Sequence, residues 1–412
     1  MGKVITGRHG NLTARGRAAR LLANPPGFAI LAVCAVVLAL RRAGAVTNPQ
    51  FWAEDIYFFQ RAYVFGWSAF AEPFAGYLHT ILRAVAEFAV RVDPAHGPGL
   101  FVACSGAVTL YVAGRTLSER CPLPRLAGAC ALAVVLVPDT YEVLMTVVNL
   151  QWVVGAGLVL LLVSRDPKGG WEWSHDLAAA ALMGLTGPFC IVLLPLFAWR
   201  AWERRSRSSA VLAAILALCA AIQGFCVVHE PYLGGTAPVK FRLLLPAVGR
   251  RIGGSILTGA LMSPDTDLYI GTAVGIATLA GVAYLAFRRG AHRPERRLLG
   301  LAFFALLAAA LYRSRYNYDW YFLPLANARY VFIPQLLAIW LLLAAAGEEG
   351  RLARICAALA LWALLVNLPR DREPAYVDLD WRRYEPRIRA GLPVTVPTNP
   401  PGWYMPLPAR PR

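Results

Sequence analysis

Glu54 and Asp55 stand side by side in the stretch NPQFWAEDIYFF, among Phe51, Trp52, Tyr57 and Phe58. Adjacent carboxylates among aromatics lose solvent and repel each other. Both effects raise one pKa toward neutrality, which suits a general base. The same oxygens could instead hold a divalent cation. They could also simply open a helix, because acids favour its first turn. A second group is basic: Lys240, Arg242, Arg313, Arg315 and Arg329. Arginine meets phosphate bidentately and lysine meets it as a point charge. The cluster suits a phosphate-bearing ligand, or snorkelling to headgroups beside Tyr316, Tyr318, Trp320 and Tyr321. A third group, His79, Arg83, Glu87 and Arg91, recurs every four residues and forms one stripe on a helix. That stripe could orient a substrate or pair internally. With Tyr77 beside them, His79 and Arg83 are candidates for substrate contact. Glu142, Asn149 and Gln151 could line the same cavity or satisfy each other.

These residues sit in a very apolar chain. It has 412 residues, is 58% hydrophobic and carries a net charge of +17. Several apolar runs reach the ~17–25 residues needed to cross a hydrocarbon core. They are too long for barrel strands. The fold class is therefore all-α, a polytopic integral membrane protein. The positive charge lies mostly in Arg-rich loops, where the positive-inside rule places it. No basic domain stands apart, so nucleic acid is not an expected partner. The eight cysteines lie mostly within apolar runs, with no CxxC pair and no Cys/His ligand spacing. Neither a disulfide frame nor a structural zinc site is indicated. No P-loop, GxSxG or HExxH motif occurs, which argues against soluble nucleotide chemistry and against serine or zinc hydrolysis.

The loop charges set the expected topology. Residues 1–26 form a basic cytoplasmic tail, and the first span covers about 27–44. An outer first loop, 45–97, contains the acidic pair. Its stretch 76–92 is a helix lying in the interface or against the bundle. Spans follow at about 98–114, 124–138 and 149–163. The segment 176–199 has basic, cytoplasmic-looking sequence on both sides, so it should enter and return, turning at Gly187-Pro188. Further spans fall at about 208–228, 268–287, 298–312, 330–346 and 353–367. This gives nine crossings plus a hairpin. An alternative of eleven has 76–92 and 176–198 both crossing. The segments 229–267, with Arg250 and Arg251, and 313–329 lie on the outer face. The bundle thus occupies 27–367, and 368–412 forms a short extracytoplasmic cap packed on the loops.

WAEDIYFF, PFAGYLH, VVNLQW, LTGPF, NARYVFIP and the terminal NPPGW, set in this layout, resemble a bacterial branch of the GT-C glycosyltransferase superfamily. The resemblance implies a GT-C-like helical bundle in the bacterial cytoplasmic (inner) membrane. It implies transfer of a sugar from a polyprenyl-phosphate carrier to an envelope glycan, lipid or protein acceptor on the outer face. The first-loop acid of that superfamily, a base or metal ligand, matches Asp55, with Glu54 as its neighbour. The chain departs from the pattern in lacking a large C-terminal soluble domain. Its second acidic pair is at most Asp265-Thr266-Asp267, so a divalent metal ion is possible rather than required. On this reading Asp55 or Glu54 activates the acceptor hydroxyl, and Arg313, Arg315 and Arg329 neutralise the leaving phosphate. A transporter or flippase of a lipid-linked intermediate is the rival. It would place acids and bases deep in several spans.

Overall fold

A computed structural model describes residues 27–122, 126–138, 140, 142–229, 238–258, 267–290, 292–323, 326–366 and 377–410. The basic tail 1–26 and the residues Asp265 and Thr266 lie outside the described residues. In chain order the first helices are α1 (Gly27–Arg41), α2 (Ala43–Thr47), α3 (Asp55–Phe65), α4 (Thr80–Val92), α5 (Gly97–Arg115), α6 (Ala127–Leu136) and α7 (Leu150–Val163). They are followed by α8 (Gly170–Gly184), α9 (Phe189–Arg204), α10 (Arg207–His229) and α11 (Phe241–Val248). The last are α12 (Leu268–Phe287), α13 (Arg293–Arg313), α14 (Ala328–Ala346), α15 (Arg351–Leu365) and α16 (Glu385–Arg389). Strands β1 (Val394–Thr398) and β2 (Trp403–Leu407) form one antiparallel hairpin. The fold is otherwise helical.

Among the described residues, four helices are long and apolar enough to cross a membrane, or five if α13 and the turn after it count as one span. This is fewer than the nine crossings the apolar runs predict. The shortfall is one of helix length. The apolar helices α1, α6 and α7 have only 15, 10 and 14 residues, and α15 has 15. α14 is the axis of the bundle, with 83% of its apolar window buried, whereas α10 and α12 have 28%. Those two present Leu218, Phe225, Val228, Ile270 and Ile276 outward. Apolar surface of that extent calls for an apolar surrounding.

The segment 170–204 is a hairpin whose two feet lie together. At the foot of α8, the buried Asp176 accepts from Arg120 Nη1 at 3.1 Å. Arg120 Nε also donates to Arg165 O at 2.9 Å. At the foot of α9, Arg200 and Arg204 reach Asp166 at 3.0 and 3.3 Å. Residues 165 and 166 thus tie both feet to one place, which rules out a single crossing by 176–198. The chain turns at 185–188, where Gly187 has φ +84. A side chain there would be strained, and its Cβ would fall 2.7 Å from Gln151 Oε1. Pro188 then starts α9, where its missing N–H costs nothing.

The hairpin tip reaches the start of α4. Thr80 N donates to Leu185 O and Gly187 N to Leu78 O. Gln223 of α10, fully buried, locks the junction. Its Oε1 accepts from Leu78 N at 2.8 Å, and its Nε2 donates to Leu78 O and Gly187 O, both at 3.1 Å. α4 itself packs on α3 and α5 with its polar stripe covered. Arg83 and Glu87 are buried, the former against Glu72 and the Phe58 ring, the latter against Arg91.

Residues 241–258 are not the simple outer loop that their Arg content suggests. α11 runs into a π-helical turn, Gly249–Gly254, packed on α12. A Cβ on Gly249 would lie 1.8 Å from Gly271 O, so the backbones approach as only glycine permits. Arg250 and Arg251 are buried. Arg251 donates to Trp320 O, Tyr321 O, Leu323 O and Ala326 O, and so shapes the turn 315–323. The described part of the C-terminal segment packs on the first loop. Trp381 Nε1 donates to Ala95 O, Asn399 N to Phe51 O and Gln60 Nε2 to Pro406 O.

Candidate active site

The loop before α3 and the turn before α4 meet the start of α7, the hairpin tip and the adjoining ends of α13 and α14. Between them is a cavity of about 150 Å³. Its wall includes Glu54, Tyr77, His79, Asn149, Arg313 and Arg329. These are six of the residues picked out from sequence, drawn from five separated stretches of chain. Gln151, Trp152, Pro188, Tyr330, Phe74, Ala75 and Val148 complete it. Two alanines close to the acids adopt left-handed backbone, Ala53 at φ 38 and Ala75 at φ 53. Each costs about 1–3 kcal/mol, and such positions persist where surrounding packing imposes them.

The two acids diverge. Glu54 lines the cavity from the residue before α3. Asp55, the first residue of α3, is 3% exposed and points into the protein. Its Oδ1 accepts from Val148 N at 2.6 Å and its Oδ2 from Trp52 N at 3.2 Å. Burial pushes its carboxyl up to about 7, against the pull of those two amides. Asp55 therefore staples the acidic loop to the 147–149 turn, immediately behind the cavity.

Arg313 ends α13 and Arg329 opens α14, so the crossing of two neighbouring helices delivers both guanidiniums to one wall. A bend of 102° after Arg313 returns the chain. Asn327 Nδ2 fixes that return by donating to Asn317 O at 3.0 Å. Arg329 Nε lies 4.0 Å from Glu142 Oε2, and the Glu54 charge acts on the same guanidinium. Glu142 also accepts through its backbone carbonyl from Asn149 Nδ2 at 2.8 Å. His79 precedes α4, and burial holds its imidazole down to about 4. Burial likewise raises the Tyr77 phenol.

The remaining candidates lie elsewhere. Arg83 is buried behind the wall against Glu72. Lys240 forms an exposed pair with Asp319 at 2.7 Å, and Arg242 is exposed nearby on α11. Arg315 stacks over Tyr312 and Tyr316 at 4.2 and 4.3 Å from their ring centres, as a surface aromatic cluster does. Gln151, expected beside Asn149, lines the cavity too, while Trp152 and Tyr330 join the site as flanks of residues already singled out. Their signal in sequence was only the aromatic and amide content of VVNLQW and NARYVF.

Among the described residues, no group of three or more His, Cys, Asp or Glu is placed to hold a metal ion. Glu54 and Glu142 flank Arg329, and a divalent cation between them would meet that positive charge. As placed, Glu54 and Glu142 serve the guanidinium and do not make a donor set for a divalent ion. Asp267 caps α12 by accepting from Tyr269 N at 2.6 Å.

A second, apolar cavity of about 630 Å³ opens along α4, α5 and α8. Its lining includes Thr80, which follows His79 in the chain, with Ile81, Val85, Cys104, Tyr111 and His175. No family model matches the chain, and neither does any curated protein or solved structure.

Proposed function

We propose that the protein is a membrane glycosyltransferase that moves a sugar from a polyprenyl-phosphate carrier to an envelope acceptor on the outer face of the bacterial cytoplasmic membrane. The observation that carries this reading is the convergence of Glu54, Arg313 and Arg329 on one cavity. A carboxylate and two guanidiniums lining one cavity match a displacement in which one group removes a proton and the others receive a departing phosphate. Glu54 takes the proton from the acceptor hydroxyl. The hydroxyl oxygen bonds to the anomeric carbon from the face opposite the phosphate, so the configuration inverts. The bond from that carbon to the phosphate oxygen breaks, and the electron pair leaves with the phosphate. Arg313 and Arg329 stabilise the charge that develops there. Asp55 acts through the loop, holding Glu54 in place. The apolar groove along α4 gives the carrier's chain a path beginning at the cavity's edge.

The test uses purified protein and a panel of polyprenyl-phosphate sugars with a lipid or glycan acceptor. Turnover is expected from the wild type, with a loss of at least about a hundredfold in Glu54→Gln, the range of general-base removal. Normal transfer by Glu54→Gln would remove Glu54 from the mechanism. Absence of transfer with every donor in the wild type would remove the transferase reading.

A further inference from the structure

Besides its two arginines the cavity is lined by His79 and Trp152, whose side chains carry hydrogen-bonding capacity that the protein does not use. Phe74 O receives His79 Nε2 at 3.0 Å and the Tyr77 amide at 3.2 Å. A carbonyl only accepts, so Nε2 carries the ring hydrogen. His79 is uncharged near neutral pH, and its Nδ1 is left as a bare acceptor to which no protein group donates. Trp152 Nε1 is a donor by its chemistry, and no protein group accepts from it. The indole is held edge-on to Phe189 and to Tyr330, each at 5.2 Å between ring centres. His79 and Trp152 both line the cavity, as does Tyr330.

We propose that His79 Nδ1 and Trp152 Nε1 together bind hydroxyl groups of a single uncharged sugar ring whose phosphate lies against Arg313 and Arg329. The proposal rests on reading the cavity as a sugar-phosphate site. A hydroxyl donates and accepts, so hydroxyls on one ring can meet both nitrogens. An ionised phosphate oxygen has no hydrogen to give to Nδ1, and an alkyl chain meets neither nitrogen. The ring's apolar faces would lie against Trp152, Tyr330 and Phe74. At about 150 Å³ the cavity is below the ~300 Å³ at which drug-sized pockets begin, so it takes one ring rather than an oligosaccharide.

The experiment measures equilibrium binding of soluble pentose and hexose 1-phosphates, beside inorganic phosphate, to the detergent-purified protein. At least one sugar phosphate should bind more tightly than inorganic phosphate. Trp152→Phe, and separately His79→Ala, should reduce that advantage about five- to twentyfold while leaving phosphate binding unchanged. Because Trp152 also packs on Phe189 and Tyr330, phosphate binding by the same variant is the control: a general loss of folding would weaken both ligands, whereas loss of a ring contact weakens the sugar phosphate alone. The proposal is overturned if no sugar phosphate outbinds phosphate, if Trp152→Phe keeps the advantage, or if it loses both ligands equally. Binding is read without an acceptor. Selective binding with no transfer would therefore sink the transferase reading alone, and transfer unaffected by Trp152→Phe would sink this proposal alone.

Discussion

Glu54 and Asp55 are neighbours in the chain, yet the start of α3 sends their carboxylates to different places. One faces a cavity and the other accepts two backbone amides. Sequence reasoning picks out the pair, but their spacing does not say which member faces in. That depends on Ala53, whose left-handed φ sets the direction in which α3 begins. Asp55 also carries a pH prediction. Its carboxyl stands at about 7 in the fold against a reference of 3.8. The folded state therefore holds the proton more tightly. Asp55's contribution to stability is fully present below the reference value and is lost as pH rises through about 7. His79, held down to about 4 from 6.5, acts the other way and lowers stability as pH falls across that interval. Because the two oppose each other, the difference between wild type and Asp55→Asn isolates the carboxyl. In melting-temperature scans from pH 4 to 8, wild-type stability minus that of the variant should decrease as pH rises. A pH-independent difference would show that Asp55 has an ordinary pKa.

At the scale of elements, the hairpin α8–α9 is what brings Pro188 to the cavity and braces the turn that holds His79. Its turning point at Gly187-Pro188 is readable from sequence, because glycine and proline punctuate a helix whatever surrounds it. Its clamp is not readable. Gln223 lies in the middle of an apolar helix, 36 residues from Gly187 and 145 from Leu78. A lone amide there gives no sign of which carbonyls it meets. Gln223→Leu keeps the volume but strands Leu78 N and Gly187 O, while Leu78 O keeps only its bond from Gly187 N. Each stranded group costs about 1–3 kcal/mol. We expect a lower melting temperature and weaker ligand binding at the cavity, although residue 223 does not line it. A variant as stable and active as wild type would show that the hairpin tip is held by its backbone bonds to residues 78–80 alone. Arg251 makes the same point in reverse. In sequence it belongs to an outer loop, while its contacts show a buried guanidinium spanning the carbonyls of another loop.

At the scale of the whole molecule, the chain alternates between an end that carries the cavity and an end that carries the hairpin feet. The second end holds Arg115, Arg120, Arg200 and Arg204 with Asp166 and Asp176. From the positive-inside rule we expect that end to be cytoplasmic, with the cavity and the C-terminal cap outside. The orientation can be measured by cysteine labelling in a cysteine-free background. Arg382→Cys, on the exposed surface of the cap, should react with a membrane-impermeant maleimide on intact spheroplasts. Lys168→Cys, exposed between α7 and α8, should react only after permeabilisation. Labelling of both from one side would overturn the topology and move the proposed chemistry to the other face.

The sequence by itself determined the helical class, the apolar segments, the turning point of the hairpin and most of the polar residues that line the cavity. Those follow from local physics: apolar run length, glycine and proline geometry, and the chemical character of side chains such as Glu54, Arg313 and Arg329. Tertiary structure alone decided which acid faces the cavity, which arginines reach it and which serve as braces. It also left His79 Nδ1 and Trp152 Nε1, on two residues that line the cavity, without protein partners. Such outcomes depend on which carbonyls and amides distant segments bring within about 3 Å of a side chain. Only the packing of α7, α13 and α14 around the first loop sets those distances.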